Sequence, residues 1–230
     1  MVKHFIKVLI FLLISSIAFC EKSNPTSKES PIPEANIPKH EIIVFLGDSL
    51  TAGMGLSTQE ESYVHILEST FNQKDRKFKF INAGVSGDTT SGGLNRLDWI
   101  LSSGADYLVI ELGANDMMRG ISPAVIQNNL KEIIQKSRIK FPNIKILLIP
   151  MKPFPNLGKK YGKLFEEVYS IVSREENVPL SEFLLKDVAG IPELNQKDGI
   201  HPTAEGHKIL AKNIEEDIRK LLEKKKKLLI

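Results

Sequence analysis

The chain has 230 residues, 42% of them hydrophobic and 26% charged. That composition fits one globular α/β domain with short appendages, and it excludes a disordered chain and a polytopic membrane protein. The formal charge of +3 falls to about +1 once Lys3 and Lys7 leave with an N-terminal segment, which removes most of the case for a nucleic-acid partner, and a single cysteine excludes an intrachain disulfide or a cysteine-based zinc site.

Lys3 and Lys7 precede an apolar run from Val8 to Ile14 and the small residues Ser15 and Ser16, the layout of an export signal over residues 1–20. The run is short for a permanent membrane span, which needs about 30 Å of helix. Cys20 follows Ile17, Ala18 and Phe19 and resembles the lipid-acceptor cysteine of a bacterial lipoprotein, although Phe19 departs from the small residue usual before it. A rival cleavage site lies at Ser16-Ile17-Ala18. Either processing route sends the protein to the bacterial periplasm or envelope, the lipid route with an anchor at Cys20. Residues 21–40 carry Pro25, Pro31, Pro33 and Pro38 among Ser, Lys, Glu and Asn, a linker composition that buries too little apolar surface to fold.

From Glu41 the chain alternates short apolar runs with longer amphipathic stretches, and the folded domain is expected over 41–223. Ile42 to Leu46 is continuously apolar and stops at Gly47-Asp48, as a buried parallel strand does. Lys79 to Asn82, Tyr107 to Glu111 and Ile144 to Ile149 read as further strands, with a weaker fifth around Val178-Pro179-Leu180. Helical patterns cover Glu60 to Asn72, Thr90 to Ser102, Pro123 to Lys140, Lys160 to Glu176 and Ala204 to Leu222. This alternation predicts an α/β fold, a three-layer α/β/α sandwich around a mostly parallel five-stranded sheet with right-handed crossovers. Reactive groups then gather beyond the carboxyl ends of the strands. The basic tail at 224–230 reads as a solvated helix end favoured by the helix dipole.

Polar clusters follow the strands in that place. Gly47-Asp48-Ser49-Leu50 ends the first strand and opens a helix, so that Ser49 can present its hydroxyl while its own N–H faces any anion beside it. Gly53-Met54-Gly55 makes neither a dinucleotide fingerprint nor a P-loop. Asn82-Ala83-Gly84-Val85-Ser86-Gly87-Asp88-Thr89 and Gly113-Ala114-Asn115-Asp116 follow the second and third strands, offering the Gly84 N–H and the Asn115 carboxamide as donors. Asp198-Gly199-Ile200-His201-Pro202 precedes the last helix. Asp198 and His201, three apart in a loop, can meet so that the carboxylate holds the imidazole and leaves Nε2 free to take a proton. Of the other histidines, His4 lies in the leader, His40 in the linker, and His65 and His207 in helical patterns.

Together and in this order, these blocks resemble the GDSL, or SGNH, hydrolase family, over nearly the whole chain from Ile42 to the last helix. They look closest to its bacterial arylesterase, acyl-CoA thioesterase and lysophospholipase branch. The resemblance implies a flavodoxin-like sheet and a serine esterase acting on small-molecule esters or thioesters. It implies a nucleophile at Ser49, a catalytic pair Asp198 and His201, and oxyanion donors from the Ser49 and Gly84 backbone and the Asn115 side chain. Neither metal nor cofactor is needed; Asp48, Asp88, Asp116 and Asp198 with His201 alone make a poor zinc site.

Met54, Met117, Met118, Phe154 and Ile200, with Leu56 and Leu157, are candidates for an acyl groove that methionines would make adaptable. Two other functions fit the same blocks: deacetylation of sugars, which favours a shallow polar pocket, and a binding role for an inactive envelope lipoprotein.

Overall fold

The computed structural model describes residues 40–73 and 77–223. The expected leader with Cys20, the linker as far as residue 39 and the basic tail at 224–230 lie outside the described residues. Four parallel strands, β1 (Glu41–Gly47), β2 (Phe78–Gly84), β3 (Tyr107–Glu111) and β4 (Lys145–Leu148), form one sheet in the order β2-β1-β3-β4. The helices are α1 (Ser49–Ala52), α2 (Tyr63–Phe71), α3 (Thr90–Ile100), α4 (Ala114–Met118), α5 (Pro123–Lys140), α6 (Lys159–Glu176) and α7 (Ala204–Glu223). α2 and α7 pack together on one face, against β2 and β4, while α3, α5 and α6 pack side by side on the other. This is the expected α/β/α sandwich.

Burial on both faces explains the apolar runs. Ile43 to Leu46 of β1 and Tyr107 to Ile110 of β3 are at most 1% exposed, and each such side chain stabilises the fold by about 1.5–3 kcal/mol. The sheet has four strands rather than five. Val178-Pro179-Leu180 is reduced to one parallel bridge between Leu180 and Leu148. Leu148 donates its N–H to Pro179 and Ser181 donates to Leu148, and the missing N–H of Pro179 prevents a longer ladder. Helix α2 begins at Tyr63 instead of Glu60, because Ser62 takes an extended conformation and its hydroxyl accepts the His65 N–H. Residues Gln59–Glu61 form a separate 3₁₀ turn.

β1 leads to β2 on one side of the sheet, and β3 leads to β4 on the other. The crevice between the ends of β1 and β3 is therefore the topological switch point, where open parallel sheets bind ligands. The α2/α7 layer is pinned close by. His207 of α7, 1% exposed, accepts the Tyr63 N–H at Nδ1 (3.2 Å) and stacks on the Tyr63 ring at 6.1 Å.

Burial pushes protonation of His207 down from its ordinary 6.5 to about 4. The unfolded chain thus takes up this proton more readily than the folded one. The stability His207 contributes is complete above about pH 6.5 and is lost as the pH falls toward 4, a change of about 3 kcal/mol. Measured by urea unfolding, the stability difference between the native and His207→Gln proteins should change by about 3 kcal/mol between pH 7 and pH 4, the native protein losing ground as the pH falls.

Candidate active site

Asp48 caps α1. Its carboxylate accepts the Leu50 N–H at 3.0 Å, and Gly53 closes this four-residue helix in the left-handed region at φ 70°. The tight turn from β1 into α1 puts Ser49 at the rim of the switch-point crevice. The second carboxylate oxygen of Asp48 accepts from Asn115 Nδ2 at 3.0 Å, fixing that carboxamide at the start of α4.

The Asp198 loop completes the arrangement. One Asp198 oxygen accepts the N–H groups of Ile200 and His201 at 2.9 and 3.0 Å, and the other meets His201 Nδ1 at 2.7 Å. These bonds, the imidazole first, hold the Asp198 carboxyl well below the usual carboxylate range, so it is ionised at neutral pH. His201 Nε2 lies 2.9 Å from Ser49 Oγ. Gln196, which the motifs do not mark, joins this loop to the segment after α1: its Nε2 donates to the carbonyls of Met54 (2.7 Å) and Pro202 (3.0 Å). An isolated glutamine in a polar loop carries no sequence signal for that role.

Gly84 does not belong to the crevice. Its N–H is taken by Asn82 Oδ1 at 3.0 Å, and a Cβ there would collide with the backbone of Ala52 in α1. Glycine is needed at 84 so that α1 can lie directly on β2. The crevice glycine is Gly87, at φ 80°, which lines the cavity with Ser49 and Asn115. Its carbonyl accepts from Arg119 Nη2 at 2.8 Å. Both glycines stand in one turn-rich segment; the Asn82 side chain and the close approach of α1 set Gly84 apart, and a positive φ and the cavity wall mark Gly87.

The cavity beside Ser49 and His201 measures about 770 Å³ and is lined by Met54, Met117, Met118, Phe154 and Ile200. Met151, Phe183 and Leu185, absent from the sequence expectation, also line it. Leu157 instead lines an adjoining space of about 590 Å³, whose wall shares Met118, Phe154 and Ile200. Leu56 packs near Gly53 and is absent from the linings of both spaces.

The remaining carboxylates are engaged separately. Asp88 accepts from Arg96 Nε at 2.6 Å, and Asp116 accepts from the Thr90 N–H and hydroxyl at 2.8 and 2.6 Å. Among the described residues no group of three or more His, Cys, Asp or Glu side chains gathers as a metal site. His65 lies on α2, within 3.8 Å of Glu68.

The GDSL-like Lipase/Acylhydrolase family matches residues 45–209. The chain is 36% identical over 181 residues to an esterase TesA of Pseudomonas aeruginosa, covering 78% of this chain and 89% of that one. It is 32% identical over 170 residues to a thioesterase 1/protease 1/lysophospholipase L1 of Escherichia coli K12, covering 74% and 79%. The solved structure of the psychrotrophic esterase EstA from Pseudoalteromonas sp. superposes with a TM-score of 0.75 at 34% identity, covering 80% of this chain and 99% of that one. The chain therefore belongs to the GDSL-like lipase/acylhydrolase family. It is a serine esterase.

Gly84→Ala should destabilise the fold by about 1–3 kcal/mol, the usual cost of overpacking, as read from urea midpoints, because the new methyl displaces α1 from β2.

Proposed function

We propose that Ser49 is the nucleophile, His201 the general base and acid, and Asp198 the residue that orients and stabilises the imidazolium. What supports this reading is the continuous relay of 2.7 and 2.9 Å contacts from Asp198 through His201 to Ser49, at the mouth of an apolar cavity. His201 Nε2 takes the Ser49 proton as Oγ attacks the ester or thioester carbonyl. The oxyanion is received by the N–H groups of Ser49 and Gly87 and by the Asn115 carboxamide, each such donor lowering the barrier by roughly 3 kcal/mol. Neither backbone N–H is a donor in any hydrogen bond of the described residues. Collapse of the intermediate expels the alcohol or thiol with a proton from His201. Water activated by the same imidazole then releases the acid.

The substrate is a medium or long acyl chain in ester or thioester linkage. The methionines, Phe154, Phe183 and Leu185 offer apolar contact with few fixed polar groups, which suits a flexible hydrocarbon and not a compact acetylated sugar. The adjoining space behind Met118, Phe154 and Ile200 gives a long chain somewhere to continue. Each methylene buried there is worth about 0.8 kcal/mol.

The protein is exported, carrying a lipid at Cys20 that holds the folded part near a membrane through residues 21–40. Supporting this are the basic and apolar pattern of the first twenty residues and the single cysteine at their end. Among the described residues no helix is long and apolar enough to cross a membrane.

With p-nitrophenyl esters from acetate to palmitate, kcat/KM should rise with chain length through the medium range. Ser49→Ala and His201→Ala should each lower turnover by at least about 1000-fold; sustained hydrolysis by the Ser49→Ala protein would falsify the nucleophile assignment. Mass spectrometry of the mature N-terminus should find a diacylated Cys20, and an unmodified chain beginning at Phe19 would show the ordinary peptidase route instead.

A further inference from the structure

Glu111, the last residue of β3, carries an ionisable side chain that the reaction above does not use. It is 1% exposed and lies beside Gly47 in the parallel register of β1 and β3. A Cβ on Gly47 would collide with Thr51 and come within 2.7 Å of Glu111 Oε2. The missing side chain at 47 is therefore what lets Glu111 reach across β1 to α1. Its Oε2 accepts the Thr51 hydroxyl at 2.7 Å and the Asp48 N–H at 3.3 Å. Thr51 in turn accepts from the Tyr63 hydroxyl at 2.7 Å, since its own proton is committed to Glu111. Glu111 Oε1 is buried and has no hydrogen-bond partner among the described residues.

We propose that Glu111 is a positioning residue for ester hydrolysis, gripping the residue before Ser49 through its N–H and the turn after Ser49 through the Thr51 hydroxyl. The inference rests on Ser49 being the nucleophile. Glu111 is not itself among the residues that line the cavity; it meets that wall only through the Asp48 N–H. Its effect runs through the position of the α1 backbone, which sets both where the hydroxyl stands relative to His201 and where the Ser49 N–H points. A displacement of about 1 Å at such a site is enough to cost on the order of 100-fold in rate.

The side chain serves both donors as a hydrogen-bond acceptor. Burial, then the nearby Asp48 carboxyl, pushes Glu111 well above the ordinary carboxylate range. Charge is not what the Thr51 and Asp48 donors require; they require an sp² oxygen at the right distance. Glutamine supplies that oxygen, and leucine fills the volume without it.

The test compares Glu111→Gln, Glu111→Leu and Thr51→Val, each checked for folding by circular dichroism, with Ser49→Ala as a control. Glu111→Leu should lower kcat about 100-fold with KM within about threefold, and should slow stoichiometric labelling of Ser49 by a fluorophosphonate to a similar degree. Glu111→Gln should keep kcat within about threefold of the native value. Thr51→Val should lower kcat in the same direction as Glu111→Leu, and the two combined should cost less than the sum of their separate effects. Native kcat in a folded Glu111→Leu protein overturns the proposal, and so does a Glu111→Gln protein as impaired as Glu111→Leu. Should Glu111→Leu fail to fold, native kcat in Thr51→Val overturns it. Turnover retained by Ser49→Ala is a different result and removes the nucleophile assignment itself.

Discussion

The 2.9 Å contact between Ser49 Oγ and His201 Nε2 joins residues 152 apart in the chain, and the architecture can be understood as the means of making that contact reliable. Ser49 belongs to the exit of the central strand β1, and His201 to a loop whose shape is dictated by its own Asp198. Neither segment orients the other unaided. The sheet order brings the β1 and β3 exits together, Asp48 ties them with its bond to Asn115, and Gln196 draws the imidazole loop onto the carbonyl of Met54. A hydroxyl is a poor nucleophile without a base at hydrogen-bond distance, so in the proposed reaction small errors in any of these ties reach the chemistry directly.

The two carboxyls behind the serine illustrate how burial is put to use. Asp48 is 1% exposed, and burial raises it from its ordinary range. It satisfies the Leu50 N–H on one side and the Asn115 carboxamide on the other. An acid whose two oxygens are both directed by neighbours is a rigid strut, whereas one left to water would be free to rotate. Asp198 is the opposite case: it is partly exposed and strongly stabilised as an anion by His201 and two N–H groups.

Local signals carried most of this information in the sequence. Buried parallel strands such as Ile43 to Leu46 declare themselves by continuous hydrophobicity, and a Ser, an Asn and an Asp-x-x-His at strand exits have few other reasons to recur in that order. What was not legible depended on side chains meeting across space. Gly84 and Gly87 stand in the same turn-rich stretch, and it takes the bond from the Gly84 N–H to Asn82 and the contact of α1 with Gly84 to remove the first from consideration. The fifth strand failed because Pro179 ends the ladder after one bridge. Phe183 and Leu185 sit in a stretch without periodicity, and nothing local marks them as cavity wall.

The placement of the imidazole near the C-terminal end of the fold has a consequence for biosynthesis. Ser49 and Asn115 lie in the first half of the chain, but the imidazole arrives only with residue 201, and α7 must then dock through His207 onto Tyr63 to hold its layer in place. Chains are made from the N-terminus, and their early segments can begin to fold before the rest emerges. A growing polypeptide therefore carries Ser49 without its imidazole partner, and the contact between the two forms only when synthesis is nearly complete.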